Sequence, residues 1–136
     1  MGKNLVIVGL DRPFLEQFAS QLACKIDYIY IDILARLDQE LISSIDMPLD
    51  IGEPYIQARE RELYYTFNDS QNAITVITDD MYAANENYQI FENCFVLYVT
   101  NDKSDKTLEK LLKKHVDLII KQENLKVKGI VDIFKG

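Results

Sequence analysis

The sequence predicts a three-layer, doubly wound α/β domain: a parallel sheet with helices on both faces. Three observations carry this reading. Short unbroken apolar runs recur along the chain, the pattern of strands covered on both faces. Between them lie amphipathic stretches whose apolar residues fall three or four apart. The connections are short, with no linker or low-complexity stretch, which favours alternating strands and helices in one sheet. At 136 residues the chain suits a single domain over 1–136 with a proper core and is too short for two ordinary ones.

The elements follow in order. Leu5, Val6, Ile7 and Val8 form the first apolar run, which Gly9 ends. Phe14, Phe18 and Leu22 then recur at four-residue spacing, with Leu15 and Ala19 beside them, so one face of a helix is apolar. Tyr28–Ile31 reads as a second strand, and Ile33–Ile42 as a helix with Leu34, Leu37 and Leu41 on one side. Ser43–Gly52, holding Pro48 and Gly52, reads as a loop. Pro54 suits the first turn of the next helix, whose Ile56, Leu63 and Phe67 share a face. Asn68–Asn72 is a turn cluster. Ala73–Thr78 is a third strand, Tyr82–Phe91 a helix, and Cys94–Val99 a fourth strand rich in aromatic and β-branched residues. Ser104–Lys114 is a helix and Val116–Ile120 a fifth strand, and Val127, Ile130, Val131 and Phe134 place a last helix.

Composition narrows the function classes. Hydrophobic residues make up 48% and charged residues 27%, as in a folded globular protein. Residues 1–100 carry 6 basic and 16 acidic side chains, while residues 101–136 carry 9 and 6, all nine cations being lysines. With a net charge of −7, neither nucleic acid nor an anionic membrane is an expected partner. The first residues lead straight into a core strand, and no apolar stretch reaches the ~18 residues of a membrane span. A cytoplasmic protein is therefore expected. Cys24 and Cys94 lack metal or redox spacing and read as buried free thiols. His115, the one histidine, reads as structural. The eight tyrosines read as half-buried packing residues, with a homodimer surface as one use for some of them.

The turn after the first strand is where a phosphate-binding loop, G-x-x-x-x-G-K-[ST], belongs. Counting from Gly9, Phe14 stands at the second glycine, Leu15 at the lysine and Glu16 at the hydroxyl residue. The order of elements and several strings resemble the shikimate kinases, small kinases with such a loop. The opening KNLVIVGLDRPFLEQFASQLA matches the family's first strand, loop and helix in length and pattern. Tyr30-Ile31-Asp32-Ile33-Leu34 falls on the family's F-x-D-x-D string, and the stretch from Gly52 to Glu60 on G-E-x-x-F-R-x-x-E. Ile77-Thr78-Asp79-Asp80-Met81 falls on T-G-G-G, and Phe95–Val99 on the strand before the family's lid. The resemblance implies five parallel strands in the order 2-3-1-4-5, with ATP and magnesium at the first loop and shikimate in a facing pocket.

The departures from that pattern bear on function. In the degenerate phosphate loop (Gly9, Asp11, Arg12, Pro13, Phe14, Leu15, Glu16), leucine replaces the phosphate-bridging lysine and Pro13 has no amide to donate. Phe14 puts a ring where glycine would admit phosphate, and Asp11 and Glu16 add negative charge. The possible remnant of the substrate pocket comprises Asp32, Leu34, Gln57, Arg59, Glu60, Asp79 and Asp80. There Leu34 replaces the family's second aspartate and Gln57 its carboxylate-clamping arginine. The chain passes from Val99 to Val116 through one helix, and no arginine follows Arg61, so the family's arginine-bearing lid is missing. No catalytic residue and no cofactor are expected, ATP least of all. The expected function is that of a catalytically inactive shikimate kinase-like protein, binding a small molecule or ion or serving as an interaction module for a protein partner. The alternative is an active shikimate kinase, or related ATP-dependent kinase, with an atypical loop. Four carboxylates, Asp11, Asp32, Asp79 and Asp80, follow strands on one edge of the sheet and suit magnesium or calcium as a metal site. The competing reading makes them separate loop residues that favour turns and helix caps.

Overall fold

The computed structural model describes residues 3–135. Its elements run β1 (Leu5–Gly9), α1 (Arg12–Ile26), β2 (Ile29–Tyr30), α2 (Ile33–Ser43), α3 (Leu49–Asp69) and β3 (Ala73–Ile77). They continue with α4 (Asp79–Ala83), β4 (Phe95–Thr100), α5 (Lys106–Leu112), β5 (Leu118–Lys121) and α6 (Val127–Lys135). All five strands are parallel, in the order β2-β3-β1-β4-β5. The central strand is the one with the most uniformly apolar sequence: every residue of β1 is buried, flanked by β3 at Val6↔Thr75 and by β4 at Val6↔Val96.

Strand alternation divides the core in two. Leu5 and Ile7 point to the side that α1 and α6 cover with Leu15, Phe18, Leu22, Ile130 and Phe134. Val6 and Val8 point to the other side, filled by Ile33, Leu37, Tyr64, Phe67, Tyr82, Phe91 and Leu112. Helices on both faces are what continuous apolar strands require, since neither face of such a sheet tolerates water. No described helix is long and apolar enough to cross a membrane.

Several boundaries differ from the sequence-based expectation, each for a local reason. The third helix begins at Leu49, inside the stretch expected to be a loop, and carries Pro54 in its interior. Proline there forfeits one bond to the carbonyl of Asp50, which lies on the exposed first turn, where water can take it. The helix expected at Tyr82–Phe91 instead starts at Asp79 and stops at Ala83. Asn85 and Glu86 adopt positive φ and break it, while the buried Asn87 amide donates to Met81 O (2.8 Å) and caps the short helix from its side chain. The fifth helix starts at Lys106, because the Asp105 carboxylate accepts from the amides of Thr107 (2.9 Å) and Leu108 (3.2 Å). Cys94 is buried as expected; Cys24 is exposed on α1.

One buried polar residue fastens the centre of the sheet. Asn4 donates to Phe67 O (3.1 Å) and Ser70 O (2.9 Å) and accepts from Ala73 N (3.0 Å). A single side chain thus satisfies the end of α3 and the start of β3 from the strand beside them.

Candidate functional site

In an open parallel sheet, ligands bind beyond the carboxyl ends of the strands, where the order reverses. Here that point lies at the end of β1, between β3 and β4. Only Leu10 and Asp11 separate β1 from α1. A loop that cradles phosphate needs several backbone N–H groups turned outward. From Arg12 to Leu15 none is left over. Arg12 N donates to Leu10 O (3.1 Å), Pro13 has no N–H, Phe14 N reaches the Asp11 carboxylate (3.4 Å), and Leu15 N donates to Asp11 O (3.0 Å). The Asp11 carboxylate itself sits at the positive end of the helix, the place an anion would take.

Leu15, at the lysine position of the loop pattern, is fully buried. Its Cδ1 would lie 2.6 Å from a β-carbon built on Gly9, so the glycine makes room for a core leucine. Phe14 is the exposed member of the pair. Arg12 is no free cation: its guanidinium bonds Asp38 on α2 (2.8 Å) and Glu16 one turn along. Those two hydrogen bonds, Asp38 first, hold its pKa above the ordinary range. Arg12 therefore ties α1 to α2 and is shared between Glu16 and Asp38.

The four aspartates do not form one group. Asp32 caps α2, accepting from Ala35 N (3.0 Å). Asp11 caps α1 and also accepts from the Gln122 amide (2.9 Å). Asp79 opens α4, and its carboxylate takes Asp80 N (2.9 Å). Asp80 is exposed and accepts from the Thr78 hydroxyl (2.5 Å). Among the described residues, no three His, Cys, Asp or Glu side chains are disposed to hold one metal ion. Asp11 and Asp32 cap the helices they precede, and Asp79 and Asp80 bond within the first turn of α4. Asp79 is the unusual one: burial raises its pKa above the ordinary carboxylate range. The neighbouring Tyr98 is also buried, its hydroxyl without a hydrogen-bond partner among the described residues and its pKa pushed up to about 12, chiefly by burial.

Of the other positions matched to the family's strings, most pack in the core or make side-chain ties, and Gln57 does neither. Leu34 is buried in the core on the α1 side. Arg59 holds Glu40 of α2 (3.1 Å) and Glu62 (2.5 Å), and the Tyr55 hydroxyl takes the other Glu40 oxygen (2.8 Å). Glu60 accepts from the Tyr64 hydroxyl (2.7 Å) and the Asn87 amide (3.4 Å). Gln57 is exposed on a groove between α2 and α3. His115 stacks on Tyr88 with ring centroids 3.8 Å apart, a structural use.

Sequence reasoning missed the residues that knit this edge together. Asn101 donates to Gln122 (3.1 Å), and Gln122 to Asp11, which joins the ends of β4, β5 and β1 in one chain of amides. No local pattern announces such a link, since its members lie up to 111 positions apart. Two clefts flank it. One of about 560 Å³ is lined by Phe14, Thr100, Lys106, Lys121 and Gln122 among others. Another of about 460 Å³ lies against Leu10, Asp11, Asn101 and Lys103.

The fold is that of a shikimate kinase. The crystal structure of the shikimate kinase from Bacteroides thetaiotaomicron is similar with a TM-score of 0.70 and 9% sequence identity, over 99% of this chain and 97% of that one. No family model matches the sequence, and no curated protein does.

Proposed function

We propose that this chain is a shikimate kinase-like scaffold that has lost phosphoryl transfer and works as a binding or interaction module. The observation that carries the proposal is the closed start of α1. From Arg12 to Leu15 every amide is missing or engaged, and the lysine position is a buried leucine. Phosphoryl transfer depends on positioning and charge neutralisation, and the one arginine beside the loop is held by Asp38 and Glu16. The groups that once would have faced substrate now hold helices together. A second reading, an active kinase with an atypical loop, draws on the 560 Å³ cleft with Lys106 and Lys121 on its wall.

A coupled assay with magnesium, millimolar ATP and shikimate, together with thermal denaturation in the same buffers, separates the two. The proposal expects no turnover above background and no nucleotide-dependent rise in Tm. Turnover that Asp32→Asn abolishes overturns it.

A further inference from the structure

Five of the large apolar side chains exposed on this protein come from one short stretch: Leu41, Ile42, Ile45, Leu49 and Ile51, each more than half exposed. Three of them, Leu41, Ile45 and Leu49, line a groove of about 490 Å³ between the end of α2 and the start of α3, with Met47 and Ile56 also on its wall. Exposed apolar residues scattered singly are ordinary, but a contiguous set around a groove marks an interaction surface. The charge around it has one sign. Residues 37–58 hold Asp38, Glu40, Asp46, Asp50 and Glu53 and no cation. Arg12 and Arg59 pair with Asp38 and Glu40, each also shared with a second carboxylate, Glu16 or Glu62. Asp46, Asp50 and Glu53 have no ion-pair partner among the described residues.

We infer that this groove docks a basic amphipathic helix of a partner protein, its apolar stripe on Ile45 and Leu49 and its lysines or arginines against Asp46, Asp50 and Glu53. The inference rests on the reading of the chain as an interaction module and names the partner's chemistry. Two features of the surface select that occupant. A twofold dimer through the same tip would set like carboxylates against one another, which opposes association. The lysine-rich end of this chain is a poor complement too. Its exposed apolar residues Leu111, Ile119 and Ile133 stand on three different elements, α5, β5 and α6. A groove between two helices fits a third helix laid along it, read by apolar anchors at i, i+3, i+4 and i+7.

The test uses the whole chain and three labelled synthetic peptides of about four helical turns. One is made of Leu and Lys in helical amphipathic order, the second has Glu for Lys, and the third is the first with its order scrambled. Fluorescence anisotropy at about 0.15 M salt, where surface charges are largely screened beyond ~8 Å, should show the ordered Leu/Lys peptide binding about tenfold or more tighter than either control. Ile45→Asp and Leu49→Asp should each weaken it about tenfold. The paired reversal Asp46→Lys with Glu53→Lys should remove its salt dependence and favour the Leu/Glu peptide. Both apolar positions are more than three-quarters exposed, so these variants should melt with the wild type. Equal binding of ordered and scrambled peptides overturns the inference, as does binding that ignores Ile45→Asp. Self-association in sedimentation that Ile45→Asp abolishes also overturns it, in favour of a second copy. ATP turnover would sink the proposed loss of catalysis and leave the peptide result standing on its own.

Discussion

Replacing Leu15 with lysine restores the charge the loop pattern calls for, and the structure says what it would cost. Leu15 is fully buried, its tip against Gly9, and the Gly9 site is itself closed by the carbonyl of Val99. Losing a buried leucine's packing costs about 3–5 kcal/mol where the site cannot collapse. The new ammonium must then either lie in the core, desolvated, or give up its proton. Leu15→Lys should therefore lose at least ~3 kcal/mol, a large share of the 5–15 kcal/mol typical of a whole domain. Leu15→Met, which conserves volume, should lose less than ~1.5 kcal/mol. The pH dependence has a definite sign. Burial lowers a lysine's folded pKa, so between the folded and unfolded values the unfolded state binds more protons and stability rises with pH. The deficit of Leu15→Lys should thus be greatest below the lowered folded pKa and shrink as pH rises toward ~10. Urea denaturation followed by far-ultraviolet circular dichroism across that range measures it, and melting with and without magnesium and ATP reads binding. A Leu15→Lys variant within ~1 kcal/mol of wild type whose Tm rises with ATP would refute the reasoning. It would mean that the side chain swings out and the helix start reopens as a phosphate loop.

Further outcomes follow from the same structure. Asn4→Ala strands Ala73 N and the carbonyls of Phe67 and Ser70, and should cost about 2–4 kcal/mol in urea denaturation; a loss under ~0.5 kcal/mol would show that the sheet does not need this tie. Asp79 has a folded pKa raised by burial, so the folded state binds more protons than the unfolded one and stability falls as pH rises through and above the ordinary carboxylate value. Asp79→Asn should accordingly stabilise at pH 7 and lose that advantage in acid, and a variant less stable at pH 7 than wild type contradicts it. Tyr98→Phe removes a buried hydroxyl without a partner among the described residues and should raise stability by up to ~1 kcal/mol; a fall in Tm would reveal a partner for that group. Calcium, magnesium and chelator should leave Tm unchanged, since the four aspartates are engaged at the starts of three different helices, α1, α2 and α4. A metal-dependent rise that both Asp32→Asn and Asp79→Asn remove would restore a shared site.

What the sequence by itself determined is the layer structure. Leu5–Val8 reads as a strand buried on both faces whatever surrounds it, because four consecutive apolar residues have no side to give to water. The helical spacing of Phe14, Phe18 and Leu22 is equally local, and so is the absence of lysine at position 15. Tertiary structure alone decided what the positions matched to the family's strings do. Leu15 could have been a surface leucine; only the glycine beneath it makes it a plug. Asp11, Asp32, Asp79 and Asp80 sit on one edge in sequence order, yet whether they converge or cap separate helices depends on side-chain direction, which no spacing encodes. Asn4 on Ala73, Arg59 on Glu40 and Gln122 on Asp11 are choices of the same kind, made between residues distant in the chain. Periodicity reports which face of an element is apolar; it carries no record of which polar group across the fold will meet a given donor. That pairing exists only once the sheet has brought the strand ends together.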